Sequence, residues 1–417
     1  MNGAFEDTLH YTSPAHGGWG MVRIGMLVPE SVQLFVCPFA CGRHGAIGAM
    51  RQGLKDRLAY LYVDQNDIVR GYDDLIPGAV EELLDALPRR PRVMLIFLSC
   101  LDDLIGTDRE ALLEVLHGRF PDLRFRICHM NPISLDSKSP PPVTIRRRIY
   151  SLLEPSETKE TSVNSIGNLE AVAPECELHR VLEGLGAGEL RHISRCRTFE
   201  EFQRMASSRA NLVLAPTGVQ AAKDMERALG IPFLLLPVSY RIGEIEAGYR
   251  QLRDFLDPSG AEPDLSAERA AALVAVEAAL RAVGDRPVIV DASAVTRPFG
   301  LARALLAYGF SVRRVVAQKC IPIDRESLDW LEENRPDVEL VQPQHHRAVR
   351  FEGRLAEALA IGVDGAYLAG ARHVVDLFAD GALFGFHGLR VLMERMRAAA
   401  EAETDLKRLI ESYGLVV

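Results

Sequence analysis

Val36-Cys37-Pro38-Phe39-Ala40-Cys41-Gly42-Arg43-His44-Gly45 joins a strand-like run to a helical pattern, and the rest of the chain can be read outward from this stretch. The run before it, Val32 to Val36, is apolar except for Gln33, as buried strands of parallel sheets largely are. The pattern after it, Ala46 to Leu54, is typical of a helix. A strand that passes directly into a helix indicates the first half of a crossover unit.

Two cysteines lie at this change from strand to helix. Pro38 suits the first turn of a helix, because its missing N–H is not needed there. Residues four apart on a helix share one face, so we expect Cys37 and Cys41 to point at one ligand. A third thiol, Cys100, closes the apolar run 93–99. If both runs are neighbouring parallel strands, the three thiols meet where open α/β sheets bind ligands.

Composition and charge exclude several classes of protein. The chain has 417 residues with 48% hydrophobic and 25% charged side chains, which is ordinary for a soluble globular protein of two or three domains. A net charge of −9 gives no general attraction for nucleic acid. No run approaches the ~18 apolar residues of a membrane span. We therefore expect neither nucleic acid nor membrane as a partner.

Cysteine usage indicates the compartment. The segment from Met1 to His10 is acidic and lacks the apolar core of a secretory signal. Seven cysteines, an odd number in a long chain, favour reduced thiols and metal ligands over a disulfide framework. We expect a cytoplasmic protein. Four of the thiols lie in or beside other elements and are interpreted as core or incidental residues: Cys128, Cys176, Cys196 and Cys320.

Strand-like and helix-like patterns alternate along the whole chain, which predicts an α/β fold with parallel sheets. Three alternating blocks predict three doubly wound (Rossmann-like) domains, at 1–157, 158–262 and 263–417, the last with a helical C-terminal segment at 388–412. The predicted strands are 32–36, 58–63, 93–98, 125–129, 163–166, 190–193, 212–215, 233–237, 287–290, 312–317, 338–341 and 365–368.

Four segments match one known family in order and spacing. Cys-Pro-Phe-Ala-Cys-Gly at 37–42 is similar to the Gly-Pro-x-x-Cys-Gly turn of nitrogenase component 1 proteins, and 99–108 is similar to their second cysteine loop. The segment 163–167 resembles their Val-Asn-Ile-Ile-Gly motif, and 210–232 resembles the segment that runs from Asn-Leu-Val to Gly-Ile-Pro. The resemblance covers nearly the whole chain and implies the component 1 architecture.

The resemblance implies an iron–sulfur cluster, because the family uses these cysteines to hold one. We expect a 4Fe–4S or related cluster on Cys37, Cys41 and Cys100, since thiolates are the usual ligands and a helix start stabilises them. Cys37 stands where the family usually has glycine, so it would replace a ligand that lies further upstream in the family. The fourth ligand stays open between His16, an aspartate such as Asp102, and a group from a second chain.

A second metal site of the family is expected to be absent. In nitrogenases a cysteine just after the Asn-Leu-Val strand holds the large cofactor, and the corresponding residue here is Ala215. We therefore expect no molybdenum-type cofactor and a pocket for an organic or metallated substrate. The family's C-terminal histidine segment corresponds only loosely to the regions of His373 and His387, which stay weak candidates. No residue is assigned a catalytic role.

The resemblance also implies partners and a function. Gly42 to Gly48 has neither a Walker lysine nor a G-x-G-x-x-G pattern, so we expect an ATP-dependent iron–sulfur reductase to supply electrons. Arg43 and Lys55 border the cysteine turn and could meet acidic groups on it. The predicted function is a catalytic component that passes low-potential electrons to a substrate in an interdomain pocket.

Two other functions stay open beside this one. The first is a non-catalytic scaffold for metal-cluster assembly, and the second is a metal-free binding protein. Since family members pair two component 1 chains, we expect a homodimer or a heterodimer with a related chain.

Overall fold

The computed structural model describes residues 9, 11, 20–51, 53–129, 139–350 and 353–412. The chain divides into two compact units. We call residues 18–171 and 191–235 the two-sheet unit, and residues 1–17, 172–190 and 236–417 the one-sheet unit. The predicted α/β fold with parallel sheets is confirmed, whereas the predicted boundaries of three domains stay a prediction.

The first sheet of the two-sheet unit has the strand order β2-β1-β3-β4. Its strands are β1 Ser31–Cys37, β2 Leu58–Tyr62, β3 Val93–Leu98 and β4 Arg124–His129. The helices of this region are α1 Gly20–Met26, α2 Phe39–Arg51, α3 Gln65–Arg70, α4 Leu75–Ala86, α5 Leu101–Ile105, α6 Arg109–Arg119 and α7 Pro141–Tyr150. Every residue of β1 and β3 is buried, because both are central strands covered on both faces.

The second sheet has the order β6-β5-β7-β8. Its strands are β5 Val163–Ile166, β6 Leu190–Arg191, β7 Ala210–Val213 and β8 Phe233–Leu235. The helices along this stretch of chain are α8 Glu177–Gly184, which belongs to the one-sheet unit, α9 Phe199–Gln203 and α10 Val219–Leu229. A short 3₁₀ turn, Pro216–Gly218, separates β7 from α10.

Two motifs of the second sheet have structural explanations. Asn164 and Asn211 are register partners on β5 and β7, both fully buried, and the Asn164 amide donates to the Asn211 amide oxygen at 2.9 Å. Gly167 has a φ of +101°, and a Cβ there would meet the Ala215 backbone. Buried polar side chains must be hydrogen-bonded, and only glycine fits a close left-handed turn. These motif residues therefore hold β5 against β7.

The one-sheet unit contains a five-stranded sheet of order β11-β10-β9-β12-β13. Its strands are β9 Val288–Asp291, β10 Val312–Val316, β11 Glu339–Val341, β12 Leu359–Ile361 and β13 His373–Val375. Its later helices are α11 Ile242–Leu256, α12 Ser266–Val283, α13 Pro298–Ala307, α14 Arg325–Asn334, α15 Val363–Ala369, α16 Gly385–Glu401 and α17 Leu406–Ser412. Among the described residues, no helix combines the length and the apolar composition that a membrane crossing requires.

The predicted strand 365–368 is wrong, because this segment lies inside the buried helix α15. The strands on either side of it, β12 and β13, are only three residues long and were not predicted. A short apolar run fits a buried helix and a buried strand equally well, so periodicity alone cannot distinguish them. Gly362, with a φ of +107°, turns the chain from β12 into this helix.

One buried carboxylate holds the start of the long helix α16. Glu177 accepts hydrogen bonds from the backbone N–H groups of Phe386 at 2.6 Å and His387 at 3.0 Å, and from the Tyr249 hydroxyl at 2.8 Å. Gly385 precedes these donors with a φ of +61°, and a Cβ there would collide with the carboxylate. The first N–H groups of a helix have no partner within the helix, so Glu177 satisfies groups that would otherwise be orphaned.

We expect Glu177→Ala to lower the free energy of unfolding by about 3 kcal/mol, because two buried donors and one partly buried donor lose their acceptor. The matched control is Glu175→Ala, since Glu175 is exposed and surface changes usually stay within about 0.5 kcal/mol. Urea denaturation followed by circular dichroism measures both. Equal midpoints for the two variants would contradict the assignment.

Candidate metal centre

Three thiols lie at the carboxyl edge of the first sheet. Strands β1 and β3 pair in parallel, from Ser31 opposite Val93 to Val36 opposite Leu98. The prediction that these two strands are neighbours in the sheet is therefore confirmed. Cys37 ends β1, and Cys100 immediately precedes α5, two residues after β3 ends. The strand order reverses between β1 and β3, and this reversal is where open α/β sheets form a ligand crevice. We call Cys37, Cys41 and Cys100 the thiol edge.

The turn between β1 and α2 brings the first two thiols together. Helix α2 begins at Phe39, and the Cys41 N–H donates to the Pro38 carbonyl at 3.0 Å. Cys37 remains in the strand, where its carbonyl accepts from the Val63 N–H at 3.2 Å. The prediction that Cys37 and Cys41 share a helix face is therefore wrong. Because Pro38 lies ahead of the first helical residue, it is the strand-to-helix turn that brings Cys41 back beside Cys37.

The pKa values show that the three thiols interact. Cys37 is fully buried, and burial, with Cys41 as the second cause, raises the pKa of its thiol to about 12. Burial and then Cys100 raise the pKa of Cys41. Each thiol is therefore close enough for its charge to affect the next. At neutral pH Cys37 and Cys41 are protonated, and a bound metal would displace these protons.

This donor set fits an iron–sulfur group. Its three described members are all sulfur atoms, the ligand type that such clusters take. Cys37 is buried, whereas Cys41 and Cys100 are half-buried and lie closer to the surface. Gly42 keeps space beside them, since a Cβ there would approach the Cys37 Sγ at 3.3 Å and the Tyr60 ring at 3.2 Å.

An acidic group lies directly beyond the third thiol. Ligand atoms of Asp102, Asp103 and His129 lie within 4.8 Å of one another. Asp102 is fully buried, and its Oδ2 accepts from the Arg109 guanidinium at 2.9 Å, while Asp103 accepts from the same guanidinium at 3.1 Å. Arg109 engages only Oδ2 of Asp102, and the buried Oδ1 has no hydrogen-bond partner among the described residues, so Asp102 stays a candidate for the fourth cluster ligand.

Several other candidates lie elsewhere or outside the described residues. His10, His16 and the side chain of Arg43 are outside the described part of the chain. Lys55 is exposed in a 3₁₀ turn before β2. His373 is buried on β13, and its Nδ1 lies 2.8 Å from the Ala399 carbonyl, which makes it a structural residue. His387 contributes its N–H to Glu177 and belongs to the start of α16.

The remaining thiols have separate surroundings. Cys128 is buried in β4, and Cys176 is buried before α8, where its Sγ lies 3.5 Å from the Phe384 carbonyl. Cys196 and Cys320 are half-buried, with their sulfur atoms against the carbonyls of His192 and Ile321. These contacts agree with the interpretation of all four as core or incidental residues.

Ala215 lies at the carboxyl edge of the second sheet, two residues after β7 and immediately before the 3₁₀ turn Pro216–Gly218. A Cβ on Gly167 would come within 2.5 Å of the Ala215 carbonyl oxygen. The backbone at this edge is therefore closely packed, and the methyl side chain of Ala215 offers no donor atom to a metal.

Exposed apolar side chains surround the thiol edge, and sequence reasoning missed them. Phe39 and Tyr62 are 58% and 53% exposed, and their rings pack edge to face at 6.2 Å. Leu104 is 79% exposed and Ile105 37%. We call Phe39, Tyr60, Tyr62, Leu104 and Ile105 the apolar rim. The available signal was the placement of Phe39 and Leu104 within the cysteine loops themselves, since apolar patches on a surface mark interaction sites.

Comparison with known proteins identifies the family. A search of the curated proteins found no match. A solved structure described as nitrogenase Cp1 at pH 6.5 superposes with a TM-score of 0.71 at 15% identity, covering 96% of this chain and 95% of the other. A second, nitrogenase Cp1 at pH 5, gives 0.65 at 14% identity and covers 91% and 87%. The family model for nitrogenase component 1 type oxidoreductases matches residues 18–401, so the chain belongs to that family.

Proposed function

We propose that this chain is a redox subunit that holds an iron–sulfur cluster, of the 4Fe–4S or a related type, on Cys37, Cys41 and Cys100. Low-potential electrons from an ATP-dependent reductase would reach a bound substrate through it. The observation that supports this proposal is the meeting of three thiols where the strand order reverses between β1 and β3. The bound cluster would supply one-electron transfer.

The residues of the thiol edge have distinct parts in this proposal. Cys37 anchors from the buried side, and Cys41 and Cys100 bind from the half-buried side. Cys41 lies in the first turn of the 13-residue helix α2, whose N-terminal dipole would favour the thiolate once a bound metal has displaced its proton. Reduced thiols also agree with a cytoplasmic location, since disulfides are rare there.

The second candidate function is a scaffold for cluster assembly, which the half-buried thiols favour because they could pass a cluster on. One experiment separates the two functions. The reduced holoprotein is incubated with candidate substrates and, in a parallel sample, with an apo-acceptor protein. Repeated substrate turnover with the iron retained supports the redox subunit. Transfer of an intact cluster to the acceptor, without turnover, supports the scaffold.

We also propose that the chain carries no molybdenum-type cofactor. Ala215 provides no ligand atom at the place where nitrogenases have a cysteine. Protein produced together with its native accessory genes should contain iron without stoichiometric molybdenum or vanadium, as measured by elemental analysis. Either metal at one atom per chain would refute this prediction.

A second component 1 chain is the proposed occupant of the apolar rim. Exposed apolar patches next to a candidate site are typical of protein interfaces, and most soluble oligomers have twofold symmetry. A contact there would place a partner group beside three thiols that lack a fourth ligand. The partner is either a second copy of this chain or a related chain.

Leu104→Glu should convert the holoprotein from a dimer to a monomer, because a charge would enter the apolar contact. Val274→Glu is the control, since Val274 is 65% exposed on α12 and lies outside the rim. Light scattering at micromolar concentration measures both variants. A stable wild-type monomer with full cluster content would contradict the proposed dimer.

A further inference from the structure

One buried cation in the two-sheet unit has no acidic partner among the residues that the structure describes. Arg146 lies on α7 and is only 6% exposed. Its Nη1 donates a hydrogen bond to the Pro142 carbonyl of the same helix at 3.0 Å. No carboxylate of the described residues pairs with it. Burial lowers the pKa of Arg146 to about 10, so the guanidinium remains charged at neutral pH.

A buried histidine lies near this cation. His192 is 1% exposed, its Nδ1 accepts from the Ser194 backbone N–H at 3.1 Å, and its ring also faces the Asn168 backbone carbonyl. Burial is the main cause that lowers the pKa of His192 to about 4, the nearby Asn168 carbonyl opposes the shift, and the charge of Arg146 contributes to it. His192 is therefore neutral at pH 7. Its ring lies close enough to Arg146 for the guanidinium charge to contribute to the lowered pKa.

The place of these groups in the fold points to a ligand. Helix α7 contacts the 3₁₀ turn Pro216–Gly218, which follows β7. His192 directly follows β6, and Asn168 lies two residues after β5, with its buried Oδ1 unsatisfied. His192 and Asn168 therefore lie at the carboxyl edge of the second sheet, whose strand order reverses between β5 and β7, and Arg146 is close enough to His192 for its charge to lower the pKa of that ring. Open α/β sheets bind their ligands at this position.

We propose that Arg146 binds a carboxylate group of the substrate at this edge, with His192 as a neutral hydrogen-bonding neighbour. This inference rests on the proposed function, because it assigns a chemical class to the substrate of that redox subunit. A buried charge without a partner is strongly unfavourable, so the fold retains Arg146 at a cost in stability that a bound anion would remove. The guanidinium has a planar fork that matches a carboxylate at two points.

The charge at the site favours a carboxylate over a phosphate. Arg146 supplies one positive charge, and His192 is neutral at pH 7. One positive charge balances the single negative charge of a carboxylate. A phosphate would leave excess negative charge in a buried site, which is unfavourable.

Thermal unfolding of the full-length protein in acetate, phosphate and chloride, at one ionic strength, tests the inference. Acetate should raise the melting temperature of the wild type by a few degrees relative to chloride, because a ligand of the native state stabilises it. Phosphate should not exceed acetate. Arg146→Met should remove the acetate response and should melt at a higher temperature than the wild type in chloride.

The matched control is Arg147→Met, because Arg147 lies on the same helix but is paired with Asp224 at 2.6 Å. This variant should keep the acetate response and gain no stability. Equal melting of the wild type in acetate and chloride, a stronger effect of phosphate, or an unchanged response in Arg146→Met would overturn the proposal. The melting temperature can be measured without a bound cluster. The acetate response of Cys41→Ala therefore tests the carboxylate site even if the thiol edge does not hold a cluster.

Discussion

Cys41→Ala and Cys100→Ala should each lose most of the iron that the wild-type protein carries. Cys41 and Cys100 are half-buried at the edge where β1 and β3 diverge. Three thiols are already fewer than the four that iron–sulfur clusters usually take, so the loss of one leaves too few ligands. Iron and sulfide analysis of anaerobically purified protein measures the effect. Cys37→Ala should also lose iron, because its buried thiol is the anchor on the inner side.

Cys196→Ala is the matched control for these variants. Cys196 belongs to the same unit, is half-buried as well, and contacts the His192 carbonyl rather than the thiol edge. It should retain wild-type iron. Full iron retention in both Cys41→Ala and Cys100→Ala would show that the thiol edge is not the cluster site, and equal iron loss in Cys196→Ala would show that the loss is unspecific.

Substrate turnover should require both ATP and an iron–sulfur reductase. The glycine-containing segment 42–48 lacks a Walker lysine, and no dinucleotide fingerprint follows any of its strands, so neither ATP hydrolysis nor NADH oxidation is assigned to this chain. Members of the family work with a reductase partner. Omission of either ATP or the reductase should abolish turnover, and non-hydrolysable ATP should trap a complex between the two proteins.

The control for this prediction replaces the reductase and ATP with dithionite or NADH that supplies the same number of electrons. Sustained turnover at an undiminished rate under these conditions would overturn the mechanism and favour a self-sufficient reductase.

The strands of the first sheet could be predicted because central parallel strands are continuous apolar runs. The predicted strand 93–98 matches β3 at both ends. Because that strand was placed correctly, Cys37 and Cys100 could be predicted to lie at the same edge of the sheet. The helix that carries Cys41 was predicted to have Pro38 in its first turn and a clear helical pattern over 46–54, and α2 runs from Phe39 to Arg51. Pro38 therefore indicated the start to within one residue, whereas the glycine and the cysteine in the first turn are weak helix formers and hid the pattern before residue 46.

The parts of the site that depend on long-range contacts could not be predicted. Asp102 binds Arg109 across a loop, and Phe39 meets Tyr62 from another element, and neither contact leaves a periodic pattern. Arg146 is one of three consecutive arginines, a pattern typical of a solvated helix face, yet it is only 6% exposed. Its neighbour Arg147 is paired with Asp224. Only the packing of α7 against α1, β4, α10 and the 3₁₀ turn Pro216–Gly218 distinguishes the two residues.

Iron K-edge X-ray absorption of the anaerobically purified wild-type holoprotein tests the central claim most directly, because it reports the atoms bound to iron without requiring a substrate. The account predicts iron surrounded mainly by sulfur, with iron neighbours at the short distance of a cluster, and the loss of this signal in Cys41→Ala. Iron bound mainly by oxygen and nitrogen, or the same sulfur signal in Cys41→Ala and Cys100→Ala, would contradict it.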